Sequence, residues 1–387
     1  MMVTEEQQAC VDYIKKKWKK PSYFPKSKGI AIGLPNKFIS PNNAIFNKDQ
    51  FYWDTYFTML GLIDIGRKNL SKGMVENLGF LQKKYGVIPA RNRLYNLGVS
   101  QPPFLTSMIF EVYEKTGDKK WLKKMIGVAE KELKGYWKKK SGAEYHLITK
   151  NLSHYCDHNI THATAEQESG WDMTSRFKEA CMNYLPVDLN SCLYKYEIDL
   201  AKANSILKNK EKAKKYLAAA KRRENEMRKL MWSEERGFYF DYNYYIEKRA
   251  KFYSLAGFYP MWAGIATKQE AKKMVKKLQL FEYDGGLANT QRRGLSPEYR
   301  QWDYPNGWPG QQCIVIEGLV NYGYDKMAKR IARKWVDMNT ELFIDTGKMW
   351  EKYDVVTKQI GKSGRYKTQS GFGWTNGVYI RLLNKYY

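Results

Sequence analysis

Hydrophobic and polar positions divide the chain into helices of two kinds that alternate along the sequence. Segments of the first kind are apolar nearly all round, as buried helices are, and begin near residues 54, 101, 190, 254, 311 and 374. Segments of the second kind are amphipathic and charged, and begin near residues 5, 70, 118, 210, 267 and 325. This strict alternation predicts an all-α (α/α)6 barrel, with the apolar helices as an inner ring and the charged helices as an outer ring.

The connecting segments are predicted to be loops with short β pieces. Residues 20–50 are rich in Pro, Lys and Asn, and residues 141–189 form a long polar stretch without helical periodicity. Residues 237–242 have the aromatic pattern of a short strand. No exact internal repeat or linker divides the sequence, so residues 1–387 are predicted to form a single domain.

Composition describes a globular protein with an unusual charge. Of the 387 residues, 43% are hydrophobic and 15% aromatic, which excludes a disordered chain. The net charge is +26, a balance found in proteins that bind nucleic acid or anionic surfaces. Because the lysines are concentrated in the charged helices, we interpret them as solvated faces of the outer ring. No specific nucleic-acid partner is therefore expected.

Three further features bear on location and redox state. Apolar stretches fall short of the ~18 residues that a membrane span needs, so no membrane partner is expected. Residues 1–20 contain no apolar core of a signal peptide, and a cytoplasmic protein is predicted. The five cysteines are scattered without CxxC spacing and are expected to be reduced thiols.

Candidate chemistry begins with residues 168–177, which contain two carboxylates, a tryptophan and an arginine. Loops with such chemistry usually carry function, the alternative being a surface loop with a buried tryptophan anchor. A distant carboxylate, Glu351, lies in a second stretch with aromatic residues, and residues 301–309 form a third. Two separated carboxylates among tryptophans fit hydrolysis of a glycosidic bond. For either carboxylate alone, a helix cap or an ion-pair partner is the alternative.

The unusual residues lie in loops that each feed an inner helix, so the predicted barrel would bring them into one pocket. Asp172, beside Trp171 and behind a glycine, is placed to be desolvated and to keep the proton of a general acid. Glu351, next to Lys352, is expected to be ionised and to serve as the base.

Two sets of side chains are candidates for binding sugar. Tryptophans present flat apolar faces to sugar rings, although each is equally typical of a core; this set is Trp53, Trp171, Trp302, Trp308 and Trp374. Polar side chains bind hydroxyl groups; this set is Asp54, Asn77, Arg93, Gln101 and Asp303.

Other chemistries lack their motifs. Histidines occur at positions 146, 154, 158 and 162, but without the HExxH order of a zinc site. GxSxG, P-loop and GxGxxG elements do not occur in the sequence. We therefore expect neither a metal nor a cofactor.

These stretches together resemble the trehalase family of glycoside hydrolases, and more distantly the α-glucosidases and the mannosyl- or glucosylglycerate hydrolases. The resemblance runs from about residue 51 to residue 383, and its motifs are Tyr-Trp-Asp-Thr-Tyr-Phe at 52–57, Glu-Ser-Gly-Trp-Asp at 168–172, Gln-Trp-Asp-Tyr-Pro-Asn-Gly-Trp at 301–308, Glu-Lys-Tyr-Asp-Val at 351–355 and Gly-Phe-Gly-Trp-Thr-Asn-Gly at 371–377. It implies an inverting (α/α)6-barrel enzyme with Asp172 as general acid, Glu351 as general base and Asn77 as a substrate-binding residue.

The chain departs from this family at two sugar-clamping arginines. Phe46 stands where the family has one of them, and Cys156 at the place of the other, with Lys48 as a candidate substitute. We therefore predict hydrolysis of a small α-glucoside, with α,α-trehalose as the first candidate. The alternative substrate is another small α-glycoside, such as a glucosylglycerate-like compound or an α-gluco-oligosaccharide. A sugar-binding barrel without activity is the contrasting class.

Overall fold

The computed structural model describes residues 3–42, 44–142, 145–292, 300–364 and 366–387. In this part of the chain, thirteen α-helices follow one another: α1 Glu5–Trp18, α2 Tyr52–Asp64, α3 Lys68–Tyr85, α4 Leu105–Thr116, α5 Lys119–Glu132, α6 His162–Glu168, α7 Val187–Ile206, α8 Lys210–Met231, α9 Tyr259–Ala263, α10 Lys268–Met274, α11 Pro309–Asn321, α12 Asp325–Thr346 and α13 Gly373–Lys385.

Six of these helices form a closed inner ring, in the order α2, α4, α7, α9, α11 and α13. Each contacts the next, and α13 returns to pack against α2. At that seam the two backbones touch, because a Cβ atom on Gly377 would lie 2.2 Å from the carbonyl oxygen of Phe57. All residues of α2 from Tyr52 to Ile63 are buried, as an inner position requires. The predicted (α/α)6 barrel is confirmed.

The charged helices α1, α3, α5, α8, α10 and α12 lie outside this ring. Their starts follow local rules: Thr4 forms a capping box with Gln7 at α1, and the Asp118 carboxylate accepts from the backbone N–H of Trp121 at α5. In α8 the apolar stripe includes Ala213, Ala220 and Met227, which are buried, while most of its lysines are exposed.

Some predicted boundaries were wrong. The stretch 141–189 was expected to lack helix, but it contains α6, which begins because the Thr161 hydroxyl accepts from the Thr164 N–H. The fourth inner segment is a 3-10 turn, Leu255–Phe258, followed by the short helix α9. Helix α12, predicted to begin near residue 325, runs from Asp325 to Thr346.

The strands are all two residues long and tie the loops together: β1 Tyr184–Leu185, β2 Trp232–Ser233, β3 Phe238–Tyr239, β4 Tyr242–Asn243, β5 Lys248–Arg249, β6 Glu282–Tyr283, β7 Gly286–Leu287, β8 Asn306–Gly307, β9 Tyr353–Asp354 and β10 Gln359–Ile360. The antiparallel order β10–β9–β8 matters most, because it pairs Asn306 with Asp354 and Gly307 with Tyr353. The loop with Trp302 and Trp308 is thereby joined to the loop with Glu351.

All five cysteine side chains are buried. Among the described helices, none is long and apolar enough to cross a membrane.

Candidate active site

A cavity of about 380 Å³ lies where the loops that feed the inner helices meet. That size suits a small organic ligand. Its wall contains eight of the predicted site residues: Trp53, Asp54, Gln101, Asp172, Trp302, Trp308, Glu351 and Trp374. Trp53, Asp54 and Trp374 lie in the first turns of α2 and α13, and the other five residues lie in loops that lead to inner helices. The barrel brings them together as the alternating pattern predicts.

Glu351 is buried at one side of this cavity. Tyr366 donates a hydrogen bond from its hydroxyl to Oε1 over 2.6 Å, and Lys352 Nζ lies 3.4 Å from Oε2. Lys352 is itself buried, with its ammonium 4.9 Å from the ring centroid of Trp308. The carboxylate is thus fixed between a phenol and an ammonium group.

Asp172 is partly exposed in the same cavity. The side-chain amide of Gln301 donates to its Oδ2 over 3.1 Å, and to its backbone oxygen over 3.3 Å. Gln301 also lines the cavity, and its backbone oxygen accepts from Trp308 Nε1 over 3.0 Å. Residue 301 therefore links the Asp172 loop to the tryptophans beneath it.

Asp54 is a third carboxyl group in the cavity, in the first turn of α2. Burial, and next the charge of Glu351, raise the pKa of Asp54 to about 8. At neutral pH this side chain is therefore mainly protonated, and it can donate a hydrogen bond.

Packed tryptophans form the floor of the cavity. The rings of Trp302 and Trp308 are parallel with centroids 4.0 Å apart, and Trp53 lies 5.6 Å from Trp302. Trp374 closes the group, 5.5 Å from Trp308. Gly170 permits this packing, since a Cβ atom there would lie 2.6 Å from Cζ2 of Trp53.

Two buried polar networks hold the loop that carries Asp172. On one side Glu168 accepts from the backbone N–H groups of Ser100 and Cys156, and contacts Nε2 of His146 at 3.1 Å. On the other side, the guanidinium of Arg176 binds two carboxylates.

The guanidinium of Arg176 lies 2.6 Å from Asp188 Oδ2, and its Nη2 lies 2.7 Å from Asp241 Oδ1. Both carboxylates are buried, and the guanidinium offsets part of their negative charge inside the protein.

The remaining four predicted residues lie outside the cavity. Asn77 is buried and bonds the backbone of Asn36 in both directions, so it fixes the loop before α2. Arg93 Nε lies 2.5 Å from Asp49 Oδ1. Trp171 packs 5.3 Å from Trp302, beneath the wall. The carboxylate of Asp303 is occupied by backbone and hydroxyl donors of the Asp172 loop, at Ser175 and Thr174. Their contacts with sugar stay predictions.

Several lining residues were not predicted. They include Phe46, Phe51, Arg91, Asn96, Gln167 and Tyr366, with Gln301 quoted only as part of a motif. Arg91 is two positions before Arg93, and side chains two positions apart in an extended segment point to the same face. The sequence pattern therefore does not show which of the two lines the cavity. Tyr366 lies in a loop rich in Gly, Ser and Lys that precedes an inner helix. That position was the only sequence feature that could have placed Tyr366 at the cavity.

The histidines do not converge. His146 contacts Glu168, His154 Nδ1 bonds the backbone oxygen of Met182, and His162 Nδ1 accepts from the Met182 N–H. Among the described residues, no group of three or more His, Cys, Asp and Glu side chains could hold a metal ion.

Comparison with known proteins identifies the family. The family model described as Trehalase matches residues 2–169 and 157–387, which together span nearly the whole chain. The chain belongs to the trehalase family. It is 34% identical to the cytosolic neutral trehalase of Saccharomyces cerevisiae, over 86% of this chain and 55% of that one. It is 33% identical to the periplasmic trehalase of Xanthomonas axonopodis, over 92% and 69%.

Two solved structures share the fold. The neutral trehalase of Saccharomyces cerevisiae matches with a TM-score of 0.80 and 31% identity, over 97% of this chain and 79% of that one. The mannosylglycerate hydrolase of Thermus thermophilus has a TM-score of 0.72 at 17% identity, over 97% and 99%, which shows the fold alone. The chain spans little more than half of the first curated trehalases it matches, 58% and 55% of their lengths.

Proposed function

We propose that the chain is an inverting glycoside hydrolase that cleaves α,α-trehalose into two glucose molecules, with Asp172 as general acid and Glu351 as general base. The observation that carries this proposal is that both carboxylates line one cavity, above a floor of packed tryptophans. Membership of the trehalase family and the names of its relatives support it.

The reaction follows from the chemistry of two carboxyl groups. Asp172 protonates the glycosidic oxygen as the bond to the anomeric carbon breaks. Glu351 removes a proton from a water molecule that attacks this carbon from the opposite face, so the configuration inverts. Gln301 and Tyr366 orient the two carboxyl groups through the hydrogen bonds described above.

Asp54 has a separate part in this proposal. Because its carboxyl group is protonated, Asp54 adds no negative charge beside Glu351. Its O–H group can donate a hydrogen bond to a sugar hydroxyl. The floor of the cavity supplies apolar faces for the rings.

Another small α-glucoside is the second candidate substrate. Phe46 stands in the cavity wall at the position where the resemblance places a sugar-clamping arginine. A second glucose ring that depends on this arginine would bind less well, whereas a compact leaving group such as glycerate does not depend on it.

The test is glucose release from a panel that contains trehalose, maltose and glucosylglycerate. Trehalose is expected to be cleaved with the highest kcat/KM. Asp172→Asn and Glu351→Gln should each lower kcat by at least about 100-fold, since acid–base catalysis contributes that much or more. A folded variant with near wild-type turnover would refute the role of its residue, and turnover confined to glucosylglycerate would favour the second candidate.

A cytoplasmic location and the lack of a specific nucleic-acid or membrane partner belong to the same proposal. The curated relatives include cytosolic as well as periplasmic trehalases. The exposed lysines of the outer ring predict only non-specific binding of DNA, which should weaken steeply as salt is added.

A further inference from the structure

We propose that Arg91 determines which leaving group the enzyme accepts, by binding the hydroxyl groups of the second sugar ring at the entrance of the cavity. This inference rests on the proposed glycosidase function. It assigns to Arg91 the guanidinium contact that the resemblance places at residue 46, where this chain has phenylalanine.

Arg91 occupies a position that Lys48 does not. Among the described residues, Arg91 is the only arginine in the cavity wall. The ammonium of Lys48, which was a candidate substitute, lies 5.6 Å from the ring centroid of Phe24 and outside that wall. Of these two cations, the one in the described wall is a guanidinium, whose planar fork can bind two neighbouring hydroxyl groups.

Contacts with other described residues hold the Arg91 side chain in place and engage only some of its N–H donors. Its Nε donates to Asn96 Oδ1 over 3.1 Å, its Nη2 to the Tyr95 hydroxyl over 2.6 Å, and its Nη1 lies 3.3 Å from Asp49 Oδ2. These contacts use three of the five N–H donors that a guanidinium has. Two donors remain for a ligand.

Aromatic rings and charge fix this guanidinium further. It lies 5.7 Å from the ring centroid of Phe46 and 5.2 Å from that of Phe51. The same Asp49 carboxylate also pairs with Arg93, so one negative charge faces two positive ones. The cluster of Asp49, Arg91 and Arg93 therefore has a net positive charge. Charge-assisted hydrogen bonds to hydroxyl groups are stronger than neutral ones.

Exposure places Arg91 at the entrance. The floor tryptophans Trp53, Trp302 and Trp308 are each 2% exposed, whereas the Arg91 side chain is 23% exposed and Tyr95 is 56% exposed. Within the described part of the chain, Arg91 bonds to neither Asp172 nor Glu351. The tryptophan floor closes the cavity at the bottom. The glucose ring whose anomeric carbon is attacked therefore lies deep in the cavity, and the leaving ring lies towards solvent. Arg91 is thus placed beside the leaving ring.

Two substrates separate this role from others. Trehalose has a second ring, whereas α-glucosyl fluoride has the same first ring and only fluoride as leaving group. For Arg91→Lys and Arg91→Gln we expect kcat/KM on trehalose to fall about tenfold or more, as the loss of a charge-assisted contact predicts. On α-glucosyl fluoride, kcat/KM should stay within about threefold of the unaltered enzyme. Arg330→Lys, which changes an exposed pair with Glu282 far from the cavity wall, is the matched control.

Other outcomes would overturn the inference. An equal loss on both substrates would mean that Arg91 supports the fold or the first ring, and no loss on either would mean that it binds no substrate. If an anionic α-glucoside were cleaved faster than trehalose, and only that advantage vanished in Arg91→Gln, the site would be one for an anion and not for a ring. The proposed function fails differently, through an absence of glucose release from trehalose by the unaltered protein.

Discussion

The phenolic oxygen of Tyr366 lies 2.6 Å from Oε1 of Glu351, and it donates a hydrogen bond to the carboxylate proposed as the base. Burial, followed by the charge of Glu351, holds the pKa of Tyr366 well above its ordinary value, so the phenol remains a donor at neutral pH. The tyrosine comes from the loop that feeds α13, while Glu351 lies just before β9. Two segments must therefore come together to orient one catalytic group.

Tyr366→Phe should lower kcat on trehalose about tenfold and change KM little. The substitution removes one hydrogen bond to a charged group, which is worth about 1.5–3 kcal/mol. Steady-state kinetics would measure this, with Tyr245→Phe as the control because Tyr245 is 76% exposed. An unchanged kcat in Tyr366→Phe would show that the hydrogen bond does not orient the base.

Gly170→Ala should destabilise the protein more than Gly66→Ala does. Both glycines have positive φ, at +73° and +81°, so both substitutions introduce backbone strain of about 1–2 kcal/mol. At Gly66 nothing lies within 4 Å of the new methyl group, whereas at Gly170 it would meet Trp53 at 2.6 Å. Thermal unfolding should therefore show a larger drop in Tm for Gly170→Ala, together with a loss of activity. Equal drops would contradict the close packing of Gly170 on Trp53.

Asp54→Asn should stabilise the protein, and the gain should grow from pH 5 to pH 8. The folded pKa is about 8, whereas the unfolded pKa is about 3.9. Between these values the folded state holds a proton that the unfolded chain has lost, so Asp54 lowers the free energy of unfolding as pH rises, by at most about 1.4 kcal/mol per pH unit. Asparagine does not titrate and removes this effect.

Chemical denaturation of both proteins at several pH values measures the difference, with the exposed Asp345→Asn as control. A difference that does not change with pH would mean that Asp54 is ionised in the folded protein.

The barrel could be predicted from the sequence because its two kinds of helix have different residue patterns. Inner helices are apolar nearly all round, whereas outer helices have one apolar and one charged face. The residues of the cavity could be predicted only in part. Sequence position showed that Asn77 and Arg93 lie near the site, but not that their polar groups are used by Asn36 and Asp49. Those partners are set by tertiary packing, which local pattern does not contain.

The same limit explains Tyr366. Its loop has no period and no distinctive spacing, and its importance follows only from the contact with Glu351. The joining of β8 to β9 likewise depends on two residues that are 48 positions apart, Asn306 and Asp354.

The most direct test of this account is the anomeric form of the first glucose released from trehalose, followed by NMR. Inversion at one of two α-linked anomeric carbons predicts equal amounts of β- and α-glucose at the start, because water attacks one ring and the other leaves with its configuration retained. Folded Asp172→Asn should release both anomers at least about 100-fold more slowly. Release of α-glucose alone in the first turnovers would contradict the proposed roles of Asp172 and Glu351.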